Sequence, residues 1–131
     1  FLEIDGRPIS RWGCDGLICS TPTGSTAYAF SAGGPVVWPE VDALVVLPIS
    51  AHALFSRPLV ISPQSEIIVR VESDEAVLSA DSLRKTALVS GDNVHITKDN
   101  HVVLLAHLTH TVFSDRLVAK FKLPVEGWRG E

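Results

Sequence analysis

Hydroxyl groups, small side chains and glycines are concentrated in residues 20–35, which read S-T-P-T-G-S-T-A-Y-A-F-S-A-G-G-P. A turn of this composition that opens a helix has two chemical uses. Its first N–H groups lack helical partners and carry partial positive charge, so they can receive an anion or the edge of a base. Its hydroxyls can equally be ordinary helix caps, and residue types alone leave both readings open. A lysine-bearing phosphate loop is excluded, because Gly24-Ser25-Thr26 has no lysine after the glycine to reach a β/γ-phosphate. A dinucleotide-type G-x-G-x-x-G is absent as well. Just ahead lies Asp15, set between apolar residues. An acid in such a place must be hydrogen-bonded or open to a cleft, and a turn role and a functional role are evenly matched for it.

Other chemistries fare worse. No G-x-S-x-G elbow accompanies the five histidines. His107 and His110 are three residues apart with Asp115 nearby, but on a strand that spacing sends the rings to opposite faces, so no metal site is expected. Asp74, Asp81, Asp92 and Asp99 read as turn residues. Cys14 and Cys19, at an odd separation, would point to opposite faces of one strand, and they read as small buried hydrophobes in a reducing cytoplasm. None of these alternative chemistries is expected.

The elements that must position these residues are mostly strands. Two extended runs in residues 1–11 flank Asp5-Gly6, a type I′ hairpin signal. A β-prone run covers 14–20. The spacing then predicts a short helix over 25–32, with Thr23-Gly24-Ser25 offering cap oxygens and Gly33-Gly34-Pro35 ending it. ALVVLPI (43–49) reads as a strand buried on both faces, and further strands are expected at 58–61, 66–72, 76–81, 86–90, 93–99 and 101–108. A last helix from Ser114-Asp115 through Phe121 carries Leu117, Val118 and Phe121 on one face, and LPVEGWRGE (123–131) is a loop. Short strands at regular spacing predict an all-β fold, a two-sheet β-sandwich with a short helix after the first hairpin and strand and a short C-terminal helix.

Composition sets the outer bounds. The 131 residues are one domain's worth, 46% hydrophobic and 20% charged, which suits a packed core rather than a disordered tail. No apolar run reaches the 18 residues of a membrane span. The formal net charge of −4 argues against a protein that coats nucleic-acid phosphates. From Trp12 to Ser56 there is no Lys or Arg, and the only acids are Asp15, Glu40 and Asp42. Such a stretch is deeply packed, or reads a ligand with backbone and hydroxyl groups, or both. The chain starts at Phe1 inside a strand pattern, and it is expected to be a piece of a longer protein.

The contiguous run from Asp15 to Pro35 closely resembles the signature of NAD kinase, the ATP- or polyphosphate-dependent family that phosphorylates the 2′-hydroxyl of the NAD adenosine ribose. An apolar strand ending near Pro48, a loop with His52, Ser56-Arg57-Pro58-Leu59-Val60 and DRLVAKFKLPVEGWRG (115–130) fit it too. The resemblance implies one β-sandwich domain over 1–131 that binds NAD and forms the oligomer. It also implies a separate N-terminal α/β domain with the catalytic Asp and most of the ATP–Mg²⁺ site, whose Gly-Gly-Asp-Gly and Asn-Glu motifs are not in this sequence. Carried over by position, Asp15 contacts dinucleotide, in many members across a subunit boundary. Thr26 and Ala27 recognise the adenine side, Tyr28 packs on the ligand, Ser31 hydrogen-bonds it, and Thr23, which with Gly24 shapes the turn, contacts NAD directly. Expected partners are NAD, ATP or polyphosphate, and further copies in a dimer or tetramer. A divalent cation such as Mg²⁺ is expected with ATP only in the full-length enzyme, and the location is cytoplasmic. Gly13 and Leu83 stand where several members carry a cation and a glutamine, so contacts there are not expected. The competing readings are a non-catalytic β-sandwich nucleotide-binding or assembly module, and a lipid kinase of the same superfamily.

Overall fold

The computed structural model describes residues 1–108 and 110–127. The chain divides into two compact units, 1–99 and 100–131.

The first unit begins with the expected hairpin. Strands β1 (Leu2–Ile4) and β2 (Arg7–Ser10) pair antiparallel. Asp5 and Gly6 have φ of 53° and 72°, the doubly left-handed geometry of a type I′ turn. The Asp5 carboxylate accepts hydrogen bonds from the Ser65 hydroxyl (2.8 Å) and the Glu66 N–H (3.0 Å), which ties the turn to the start of β6 (Ile67–Arg70). β6 pairs with β1 on one side and with β9 (Asn93–Ile96) on the other. The resulting sheet has the order β2-β1-β6-β9.

A second antiparallel sheet has the order β3-β4-β5, built from Gly16–Ser20, Leu44–Ile49 and Leu59–Ile61. β4 is buried on both faces, as its unbroken apolar run predicts. Leu44 and Val46 join Leu2 and Ile67 in the core between the two sheets, with Leu17, Leu59, Ile61 and Ile96 around them. Val45 and Leu47 face the other way, into a second cluster with Ala29 and Val37. Strand β4 therefore serves two layers at once, the sandwich core on one side and the post-β3 segment on the other. A two-stranded hairpin, β7 (Glu75–Ala80) with β8 (Arg84–Val89), completes the unit, and its turn carries Asp81 and Ser82 at positive φ.

In the second unit, α2 (Phe113–Phe121) turns Phe113, Leu117, Val118 and Phe121 to its less exposed side. It starts one residue before the predicted Ser114, and neither Ser114 nor Asp115 caps it, since Val112 holds the cap position without a side-chain bond. Residues 101–108 form no strand, against expectation. Their apolar, β-branched content favours extension, but a strand exists only where a ladder partner meets it. The tail expected as a loop is described to Gly127, and Trp128–Glu131 lie outside the described residues.

Candidate functional site

β3 delivers the chain to Ser20, and the hydroxyl-rich segment then folds by satisfying its own polar groups. The Ser20 hydroxyl donates to the Thr21 carbonyl (2.7 Å), and Thr21 Oγ1 accepts from the Gly24 N–H (3.1 Å). A 3-10 turn follows over Thr23–Thr26, with Ser25 N–H on the Pro22 carbonyl and Ala27 N–H on the Gly24 carbonyl. Helix α1 is the single turn Tyr28–Ser31. The predicted helix over 25–32 is thus two short pieces, broken at Ala27, whose ψ is −127°. The predicted cap oxygens are corrected as well: Thr21 caps the turn, and the Ser25 hydroxyl is turned inward. With one helical turn and most of the nearby N–H groups satisfied within the turn, α1 offers no N-terminal anion site. What the segment can offer a ligand is hydroxyls, peptide edges and the aromatic rings of Tyr28 and Phe30.

The end of α1 is held by close backbone approach. Gly33 N–H bonds the Phe30 carbonyl (3.0 Å) and Gly34 N–H bonds the Ala29 carbonyl (2.8 Å), with Gly33 at φ 93°. A Cβ on Gly34 would lie 2.7 Å from the Ala29 oxygen, so only glycine lets the chain return this tightly. Ala29 is thereby pressed against Val45 and Leu47, while its neighbours on α1 face out.

The sequence-predicted residues Thr23, Thr26, Ala27, Tyr28 and Ser31 fall together on this corner. Thr23, Ala27 and Ser31 are exposed, Thr26 is half-buried, and Tyr28 is 65% exposed. Among the described residues the side chains of Thr23, Tyr28 and Ser31 make no hydrogen bond. A solvent-exposed tyrosine ring with hydroxyls on either side can stack on a base and bond its edges.

Asp15 is placed elsewhere. It precedes β3, and its N–H bonds the Ile49 carbonyl (2.9 Å), extending the β3–β4 ladder. Its side chain is exposed and unpaired among the described residues. Asp15 stands three residues before Ile18, which packs against the Ala29–Leu47 cluster under α1, roughly 10 Å of strand rise. The structure also ties the loop after β4 to this end of β3: His52 N–H bonds the Gly13 carbonyl (2.9 Å), and Trp12 Nε1 donates to the Phe55 carbonyl (2.7 Å). Cys14 lies outside β3, so the two cysteines do not share a strand as predicted, and both are free thiols. Burial raises the Cys19 thiol pKa above its ordinary value. No group of three or more His, Cys, Asp or Glu among the described residues can hold a metal ion.

Residues 1–108 match the model of the ATP-NAD kinase C-terminal domain. The chain belongs to that family. It is 58% identical over 131 residues to the NAD kinase of Thermobifida fusca, covering 98% of this chain and 40% of that protein. It is 60% identical over 131 residues to NAD kinase 2 of Streptomyces avermitilis, covering 98% and 44%. Among solved structures, yeast NADH kinase complexed with NADH matches with a TM-score of 0.70 and 38% identity over 73% of this chain and 28% of that one. The NAD kinase of Archaeoglobus fulgidus in complex with ATP gives 0.69 and 37%, over 76% and 38%. The chain thus spans less than half the length of these curated relatives. Sequence reasoning missed the inward role of Ser25, because its residue type is the same as that of any cap hydroxyl.

Proposed function

We propose that this chain is the NAD-holding part of an NAD kinase, a phosphotransferase that moves a phosphoryl group from ATP or polyphosphate to the 2′-hydroxyl of the NAD adenosine ribose to make NADP. The observation that carries the reading is the exposed, lysine-free corner of Thr23, Thr26, Ala27, Tyr28 and Ser31, braced on β4 in a chain of this family. Tyr28 stacks on the adenine, Thr26 and the Ala27 backbone read its edge, and Ser31 and Thr23 bond the flanking groups. The solved relatives in complex with NADH and with ATP support a nucleotide as the ligand class. Phosphoryl transfer is governed by positioning and electrostatics, so a part that only fixes the acceptor contributes to rate. We assign the divalent cation that accompanies ATP to the full-length enzyme.

The exposed Asp15 carboxylate, unpaired among the described residues, suits an acid that contacts nucleotide across a subunit boundary, in a dimer or tetramer. The free thiols of Cys14 and Cys19 suit a reducing, cytoplasmic setting.

The test is calorimetric titration of NAD into the full-length protein. Tyr28→Ala should weaken binding by the worth of a base–aromatic stack, about 1–3 kcal/mol, with an unchanged circular dichroism spectrum. Asp15→Ala should weaken NAD binding in the same direction and lower turnover without unfolding. Unaltered NAD affinity in both variants refutes the reading.

A further inference from the structure

We infer that Ser25 is a positioning residue whose buried hydroxyl clasps the two ends of the loop that presents the nucleotide-binding corner. The inference rests on the proposed nucleotide role of that corner and extends it to a side chain that touches no ligand. Ser25 is 0% exposed, whereas Tyr28 three residues on is 65% exposed. Its Oγ sits 2.6 Å from the Pro22 carbonyl, 3.3 Å from the Val37 carbonyl and 2.9 Å from the Val37 nitrogen. One hydroxyl proton serves one carbonyl at a time, and the shorter distance assigns it to Pro22. The oxygen then accepts from the Val37 N–H.

Through these two bonds Ser25 joins Pro22, just before the 3-10 turn, to Val37, twelve positions after Ser25 itself. Between them lie Thr26, Ala27, Tyr28 and Ser31. Val37 is itself anchored, since it packs with Val45 and Leu47 beneath the loop. The clasp therefore ties the start of the loop to Val37, which is packed on β4, while the Gly34 N–H to Ala29 carbonyl bond fixes its middle. Without the hydroxyl, the Val37 N–H is left buried and unpaired, a state that favours opening of the loop to water. An open loop scatters the corner residues, and apparent affinity falls with the fraction that remains closed.

The test uses steady-state kinetics of the full-length protein. Ser25→Ala should raise KM for NAD by about five- to tenfold if the closed fraction falls to roughly 10–20%. KM for the phosphoryl donor and kcat should stay within about twofold of wild type, the split expected when a change acts on one substrate's site. Ser65→Ala is the control, because Ser65 is also buried and bonds Asp5 (2.8 Å) far along the chain from the loop. It should lower the unfolding midpoint and leave KM for NAD alone.

If Tyr28→Ala raises KM for NAD and Ser25→Ala does not, the clasp is wrong and the nucleotide reading stands. Should neither variant move it, both fall. Equal losses for NAD and donor in Ser25→Ala, or a Ser65→Ala effect on KM for NAD as large, reduce Ser25 to a merely structural role and overturn the inference. Amide hydrogen exchange of the wild type decides the matter should Ser25→Ala not fold: the Val37 amide must be protected like those of β4, and exchange at loop rates overturns the clasp.

Discussion

The hydroxyl residues between Ser20 and Thr26 look interchangeable in sequence and hold unlike positions in the fold. Ser20 and Thr21 close a local turn, Ser25 is sealed beneath the loop, and Thr23 faces solvent. Which hydroxyl is structural depends on whether Val37 arrives beside it, a contact no local pattern encodes. Cys19 shows the same dependence on surroundings. It packs against the sandwich core, and burial raises its pKa because the thiolate is poorly solvated there. Below the ordinary thiol pKa both folded and unfolded chains keep the proton, so the contribution to stability is constant. As pH rises through that value, the unfolded chain releases its proton first, and stability falls. Urea denaturation at pH 7 and pH 10 should show this alkaline loss in wild type and a smaller one in Cys19→Ala. An equal decline in the two proteins contradicts the assignment.

At the scale of elements, the corner depends on how α1 ends. Gly34→Ala puts a Cβ 2.7 Å from the Ala29 oxygen, and backbone rather than a flexible side chain must move to relieve it. Overpacking of this kind costs about 1–3 kcal/mol, and chemical denaturation should register it. Gly13→Ala, where a Cβ meets nothing within 4 Å, should stay within about 0.5 kcal/mol of wild type. Equal effects of the two substitutions would show that the close approach at Gly34 is not what holds α1. The same scale shows how far sequence reading reaches. The Asp5-Gly6 hairpin and the doubly buried β4 were legible because turn chemistry and apolar runs are local signals. The break at Ala27 was not, since small residues fit a 3-10 turn and an α-turn equally well. Nor was the pairing of β1 with β6, more than sixty residues away, or the lack of any ladder at 101–108. Those outcomes are decided by which strands meet, and propensity carries no information about partners.

At the scale of the molecule, the distribution of chemistry sets what residues 1–131 can do alone. The 23–31 corner sits on one side of β4 and the sandwich core on the other, and on the proposed reading β4 is the platform that holds the acceptor. Phosphoryl transfer further requires charge neutralisation at the donor phosphates and a group that orients the attacking hydroxyl. Among the described residues no group of three or more His, Cys, Asp or Glu gathers as a metal site would, and the exposed Asp15 just before β3 is the acid nearest the corner in sequence. On the proposed reading this part holds the acceptor and does not by itself accelerate transfer. Purified residues 1–131, mixed with NAD and Mg²⁺-ATP or polyphosphate, should therefore yield no NADP above the protein-free blank in a dehydrogenase-coupled assay, while the full-length protein does. Catalytic turnover by the isolated chain would place the reacting groups within it and overturn the division of labour, because every contribution to rate would then have to come from the corner and Asp15 together.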